Sequence, residues 1–229
     1  SLTIAIESGS ERMREVVNKK LSNEEIHAAA RHAKQGGLKA LKLYGMVGLP
    51  SEQDDDVEST ADLLLQLKQT TPGLRLTLGV STFVPKAQTP FQWQGVRPEA
   101  EKRLKRLAKQ LKPKGIDLRP ESYGWSVIQA LISRSDRRLA SVIVAVRGSQ
   151  ESLGDWKKAY RSARSGDLPA AVSAGGDLPL PPPWDEVIHQ RWNDSTVLPW
   201  DHLNGPLGRT TLLKHQEQAL SLTDPGGLD

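Results

Sequence analysis

Leu74, Leu76, Leu78 and Val80 are separated by Arg75, Thr77 and Gly79, and this strict alternation constrains the chain more than any other feature. A period of two is the signature of a strand with one face buried. The predicted strand covers residues 74–84. Two earlier runs read the same way: residues 2–6, β-branched and apolar, and residues 38–49, a buried strand with a glycine-punctuated end. Helical patterns lie between them. The turn Ser8-Gly9-Ser10 can cap one, whose apolar periodicity begins with Ser10, Met13, Val16 and Val17. Ser22 or Asn23 caps a second, with Glu24 and Glu25 in its first turn, where the helix dipole favours acids. Ile26, Ala29, Ala30 and Ala33 mark its buried face, and Gly36-Gly37 ends it. The acidic stretch 51–56 opens a third, with Val57, Ala61, Leu64, Leu65 and Leu67 inward and Pro72-Gly73 as its stop. Strands separated by helices of this length make βαβ units and a parallel sheet. Three such strands cannot close a barrel, so the remaining strands are missing or supplied elsewhere.

Residues 98–112 predict a basic helix with Leu104, Leu107 and Leu111 as its apolar stripe, and residues 116–118 a last short strand. Beyond them the pattern is helical, over 125–132, 137–146, 153–163 and 210–220. It is interrupted by a Pro-, Gly- and Ala-rich loop at 167–183. The expected division is an α/β part over 1–120 and a mostly helical extension over 121–229. Trp184, Trp192 and Trp200 recur every eight residues and read as anchors that dock an extended tail onto a core.

The 229 residues include no cysteine, which excludes disulfides, thiolate metal sites and cysteine nucleophiles. No apolar run is long enough to span a bilayer, and the N-terminus lacks the basic and apolar regions of a signal peptide. A cytoplasmic protein is the expectation. The chain lacks an initiator methionine and opens directly into a strand, which reads as a piece of something longer. His27 and His32 stand five apart on one helix, and His189, His202 and His215 are scattered, so no metal site is expected.

Three segments follow consecutive strands, at the end where parallel α/β folds bind ligands. Gly45-Met46-Val47-Gly48-Leu49-Pro50-Ser51-Glu52 exposes backbone, through its two glycines, against which a flat ring such as adenine could pack. A tight strand-to-helix turn is the plainer alternative. Glu7-Ser8-Gly9-Ser10 offers a carboxylate and two hydroxyls to a ribose or an ammonium, or is simply a helix cap. Phe83-Val84-Pro85-Lys86 and Thr89-Pro90-Phe91-Gln92-Trp93 either wall a pocket or cover the open end of a barrel.

These segments carry a family resemblance. Residues 4–12, 41–50 and 83–93 resemble the fourth, fifth and sixth strands of a radical S-adenosylmethionine (SAM) core, closest to the cobalamin-binding radical SAM proteins in a form typical of cyanobacteria. Ser133-Arg134-Ser135-Asp136-Arg137-Arg138-Leu139 and Leu198-Pro199-Trp200-Asp201-His202-Leu203 resemble motifs of the same family's C-terminal region. The resemblance implies the C-terminal half of an incomplete (β/α)6, TIM-like barrel followed by a helical extension. In such a barrel Glu7 and Ser8 would approach the SAM ribose or amino group, and Lys19 would meet the SAM carboxylate. Gly45, Met46, Val47, Gly48, Leu49 and Pro50 would contact adenine, with Phe83, Val84 and Pro85 lining its side. The implied chemistry is that of an iron–sulfur oxidoreductase or transferase that cleaves SAM reductively at a 4Fe–4S cluster, with cobalamin as a further cofactor in the family. The cysteines that would hold the cluster are absent, so the chain alone is expected to be inactive, and its expected partner is the missing N-terminal half.

Between Arg97 and Arg138 twelve Lys/Arg face five Asp/Glu, a local excess of seven positive charges within a chain of net +4. RNA or a protein substrate is a candidate partner there, and a solvated helix face is the simpler reading. A non-catalytic binding module or a remnant without the cluster half is accordingly the alternative function. Two further expectations are that Gly48→Trp abolishes SAM binding by filling the adenine approach, and that unpaired strand edges make the chain prone to aggregate.

Overall fold

In the computed structural model, which describes residues 2–168 and 179–222, the alternating run becomes strand β3 (Arg75–Thr82). It pairs on one side with β2 (Ala40–Val47) and on the other with β4 (Asp117–Pro120), and β2 pairs with β1 (Leu2–Glu7). All three pairings are parallel, in the order β1-β2-β3-β4. The helices between them are α1 (Glu11–Val16), α2 (Asn23–Gln35), α3 (Asp54–Thr70) and α4 (Glu99–Leu111).

Register explains why one face is covered. Leu41, Leu43 and Val47 of β2 share a phase with Leu76, Leu78 and Val80 of β3, and all six are buried. They join one core with Ile26 and Ala30 of α2, Val57, Leu64 and Leu67 of α3, and Leu104, Leu107 and Leu111 of α4. Burial of one such leucine contributes about 1.5–3 kcal/mol. The opposite phase is polar: Lys42 and Tyr44 are exposed, and Thr77, Gly79 and Ser81 half-buried. This α/β sheet with its connecting helices is consistent with part of a TIM-like barrel, and its two outer strands are β1 and β4.

Local chemistry sets the helix ends. Ser22 and Glu25 form the capping box of α2. The third helix begins at Asp54, later than the acidic run itself, because the Asp56 carboxylate turns back to accept the Gln53 N–H (2.8 Å) and closes the first turn.

The chain divides into two units. The first gathers residues up to 83, 97–123 and from 214 onward, and contains the sheet. The second gathers 84–96 and 124–213. It holds most of α5 (Tyr123–Arg134), then α6 (Ala140–Val146), α7 (Leu153–Ser165) and α8 (Trp184–Ile188), while α9 (Arg209–Ser221) runs across the division. Residues 169–178 of the Pro/Gly-rich loop lie outside the described residues. The tryptophan repeat is less uniform than its spacing. Trp184 opens the short α8, which the sequence reading missed, and meets Tyr160 edge-on. Trp200 instead shares a second core with Trp93, Leu198 and Leu212, and Trp192 packs against it. Among the described residues no helix is long and apolar enough to cross a membrane.

Candidate functional site

The loop after β1 is built from within. Gly9 donates its N–H to Thr60 Oγ1 (2.9 Å), and Ser10 Oγ donates to Asp56 Oδ1 (2.7 Å). Arg12 pairs with the same carboxylate. Burial alone would push the Asp56 carboxyl up, but the hydrogen bonds from Arg12, Ser10 and Gln53 outweigh it and hold it below the ordinary range. Arg14, buried on the same turn, donates to the Ser8 carbonyl (2.7 Å), the Leu21 carbonyl (2.5 Å) and Asn23 Oδ1 (2.6 Å), and burial lowers its pKa. Ser8 is buried too, its hydroxyl accepting from the Ser10 N–H (3.2 Å). Glu7 differs from its neighbours. The register slips between Ala5 and Glu7, and Glu7 sits at φ 62°, in the left-handed region that non-glycine residues seldom occupy. Its carboxylate stands 3.4 Å from Lys19 Nζ.

The loop after β2 is held by the last residue of its glycine motif, to which the sequence assigns no role of its own. Glu52 is buried, and its Oε2 accepts from the Gly48 N–H (2.6 Å) and from Arg103 Nη1 (2.8 Å). Arg103 Nη2 also donates to the Glu52 carbonyl (3.0 Å). Burial pushes the Glu52 carboxyl up to about 7, against the pull of those donors. No local pattern reveals this pair, because Arg103 is 51 residues away on α4. Gly48 itself adopts φ +78°, and a Cβ there would lie 2.9 Å from Ala100 Cβ. A side chain at 48 would therefore strain the turn and press on α4. The expected Gly48→Trp effect on ligand binding follows from that distortion, not from the filling of an open approach.

On the uncovered face of the sheet a cavity of about 350 Å³ collects residues from all four strand ends. Glu7, Gly45 and Met46 line it, and Lys19 reaches this group through its ion pair with Glu7. Val47, Gly48, Leu49 and Pro50 are buried in the turn and do not line it, nor do Ser8, Phe83, Val84 or Pro85. Val84 and Pro85 fall in the second unit. The wall also holds residues not anticipated: Lys42, Tyr44, Thr77, Ser81, Arg119 and Glu121. Part of their signal is in the alternation: Lys42, Tyr44, Thr77 and Ser81 occupy the phase opposite to Leu41, Leu43, Leu76 and Leu78, and Arg119 stands next to the buried Leu118 of β4. Tyr44 pairs across the strands with Gly79, and a Cβ at 79 would lie 2.7 Å from the Tyr44 ring. The ring thus lies over the bare glycine and remains half exposed (51%), a flat surface inside a charged cavity. Arranged this way, the cavity can take a zwitterion with a planar group: carboxylates at Glu7 and Glu121, cations at Lys42 and Arg119, and a ring between them.

No group of three or more His, Asp or Glu suited to a metal ion occurs among the described residues, and without cysteine the chain does not fit a 4Fe–4S cluster. The segment after β3 resolves differently from a pocket wall. Trp93 is fully buried, and Gln92 Oε1 accepts from Trp200 Nε1 (2.6 Å), so residues 91–93 form the core onto which residues 198–200 dock.

The chain is 33% identical over 158 residues to an uncharacterized protein of Methanocaldococcus jannaschii, an alignment that covers 69% of this chain and 35% of that protein. The chain thus spans about a third of its relative's length. No solved structure matches. The segment from β1 into α3, which carries Glu7, Lys19, Gly45 and Met46, coincides with residues 1–64, and these match the model of the Radical SAM superfamily.

Proposed function

We propose that this chain contributes SAM-binding walls to a radical SAM iron–sulfur enzyme. The observation that carries the reading is the cavity at the strand ends, whose Glu7, Gly45 and Met46 lie in the segment that matches the superfamily. SAM presents an ammonium, a carboxylate, a sulfonium and an adenine ring. Glu7 answers the ammonium, Lys19 or Lys42 the carboxylate, and the Tyr44 ring with Met46 gives adenine a flat apolar surface. The volume, about 350 Å³, lies within the usual range for sites that enclose a small ligand. When the cluster is bound in the superfamily it supplies the electron that cleaves SAM. Here the cluster has no ligand in the chain, so these residues bind and orient SAM and do nothing further. The partner in this reading is a cysteine-bearing segment of a longer protein, which would add strands at the free edge of β1. The oxidoreductase or transferase character and the use of cobalamin would belong to that longer protein.

The test is saturation-transfer NMR with the purified chain and SAM. Binding near millimolar is expected, with Glu7→Gln weakening it about tenfold, since a hydrogen bond to a charged group is worth roughly 1.5–3 kcal/mol. Tyr44→Ala should remove the adenine proton signals first. Equal binding by wild type and both variants would overturn the site, and no binding at all would assign it to the longer protein only.

A second reading rests on α4. Arg103 and Arg106 are spent on Glu52, Asp54 and Glu58, and Lys105 pairs with Glu101 (2.7 Å), but Lys102 and Lys109 on α4 and Lys112 at its C-cap are exposed along one stretch. RNA held there would dissociate steeply with salt. Charge reversal at Lys102 and Lys109 should abolish a gel shift with single-stranded RNA while leaving the SAM signals unchanged. A shift that survives it would set this reading aside.

A further inference from the structure

The second unit encloses a cavity of about 600 Å³, separate from the strand-end site and built from the two C-terminal motifs. Among the lining residues is Arg134, in the last turn of α5, with a relative exposure of 1%. Nη1 donates to the Ile188 carbonyl (2.9 Å) and Nη2 to the Gln190 carbonyl (3.0 Å), while the guanidinium carbon lies 4.0 Å from the centroid of the Trp192 ring. Nε is buried without a hydrogen-bond partner, and no carboxylate pairs with Arg134 among the described residues. A buried cation normally pairs with an anion, because desolvation without compensation is costly.

The other charges of the wall are already matched. Arg138 grips Asp136 through Nε (2.9 and 3.0 Å), and Arg191 pairs with Asp194 (2.8 Å). Glu186, the remaining acid, is exposed to solvent and screened. The uncompensated charge among the lining residues is therefore positive, the buried guanidinium of Arg134. Burial alone pushes the Arg134 pKa down to about 10, still far above neutrality, so the charge persists.

We propose that this cavity binds a small organic anion, a carboxylate or phosphate carried on a flat apolar body, with Arg134 as its charged anchor. The volume is too large for an inorganic ion alone and lies within the range of sites for small organic ligands. Leu139, Val187, Val197 and Leu198 supply apolar wall, and the side chains of Gln190 and Thr196 supply polar groups for orientation.

The experiment is calorimetric titration of the full chain with benzoate, phenyl phosphate and neutral benzyl alcohol. An anion is expected to bind at least tenfold more tightly than the alcohol, about 1.4 kcal/mol. The better of benzoate and phenyl phosphate identifies the group the site prefers. Arg134→Gln should erase the preference for the anion. Val197 is 83% exposed on the cavity rim, so Val197→Trp should block entry without touching the core, and it keeps the test readable if Arg134→Gln does not fold. Equal binding of alcohol and anions, no binding of either anion, or anion binding unchanged in Val197→Trp would each overturn the proposal.

Discussion

Arg103→Ala is expected to lower the stability of the first unit by about 3–5 kcal/mol at pH 8, the usual cost of removing one partner from a buried ion pair. Arg103 and Glu52 are both buried, and the substitution leaves Glu52 with only the Gly48 N–H, deep in the protein. The dependence on pH makes the mechanism visible. Burial raises the Glu52 carboxyl from 4.5 to about 7, so between those values the folded chain binds more protons than the unfolded one. Stability from this group is full below about pH 4.5 and is lost as pH rises through about 7, a change of roughly 3 kcal/mol. In Arg103→Ala the cation that opposes protonation is gone, and the neutral acid needs no charged partner. The deficit of the variant should therefore shrink as pH falls to 5.5. Glu52→Gln, which keeps the shape of the acceptor, should flatten the pH dependence. Urea unfolding at pH 5.5 and 8 reads all three proteins. A deficit under about 1 kcal/mol at pH 8, or one equal at both pH values, would show that the pair does not hold the Gly48 turn.

What the sequence made legible here is what depends on short-range pattern. The alternation at Leu74–Val80, the stripe at Leu104, Leu107 and Leu111, and a cap at Ser22 or Asn23 each arise within a few residues, and the structure has the strand, the stripe and, of the two cap candidates, Ser22. The fourth strand, at residues 117–120, was legible for the same reason. The site was only half legible. Glu7, Gly45 and Met46 reach the cavity because strand ends in parallel sheets converge there. Ser8 and Gly48 follow the same rule but are turned inward: Arg14, six residues on, takes the Ser8 carbonyl, and Glu52, which takes the Gly48 N–H, is itself held by Arg103, 51 residues away. Lys42, Tyr44 and Ser81 were overlooked although they stand in the phase opposite to the buried leucines. The short α8 follows prolines and has no periodicity long enough to register. A charge count cannot tell paired from unpaired cations: on α4 Arg103 and Arg106 belong to ion pairs with α3 and the loop before it, and Lys105 pairs with Glu101 on its own helix.

Gly9→Ala is the second substitution with a large expected effect, and its cause is steric. An ideal Cβ at position 9 would lie 2.3 Å from Thr60 Cα, 2.6 Å from the Ser59 carbonyl oxygen and 2.7 Å from the Thr60 nitrogen. All three are backbone atoms of α3, which cannot swing aside as a flexible side chain would. The turn after β1 and the helix after β2 are also joined at this point by the Gly9 N–H to Thr60 Oγ1 and by Ser10 Oγ to Asp56. Relief of the clash means moving α3 or the turn, which breaks those bonds and loosens core contacts of Val57, Ala61 and Leu64. A loss of about 3 kcal/mol or more is expected, at the upper end for overpacking. Gly73→Ala supplies the control. Gly73 has φ +86° with nothing within 4 Å of its Cβ, so its cost is that of a left-handed backbone alone, about 1–2 kcal/mol. Thermal unfolding of the two variants separates contact from conformation. If Gly9→Ala costs no more than Gly73→Ala, the β1 turn and α3 do not touch as described, and the position of Glu7 in the cavity loses its support. If it costs several times more and also weakens SAM binding, the packing of α3 against this glycine is what sets the carboxylate at the strand end.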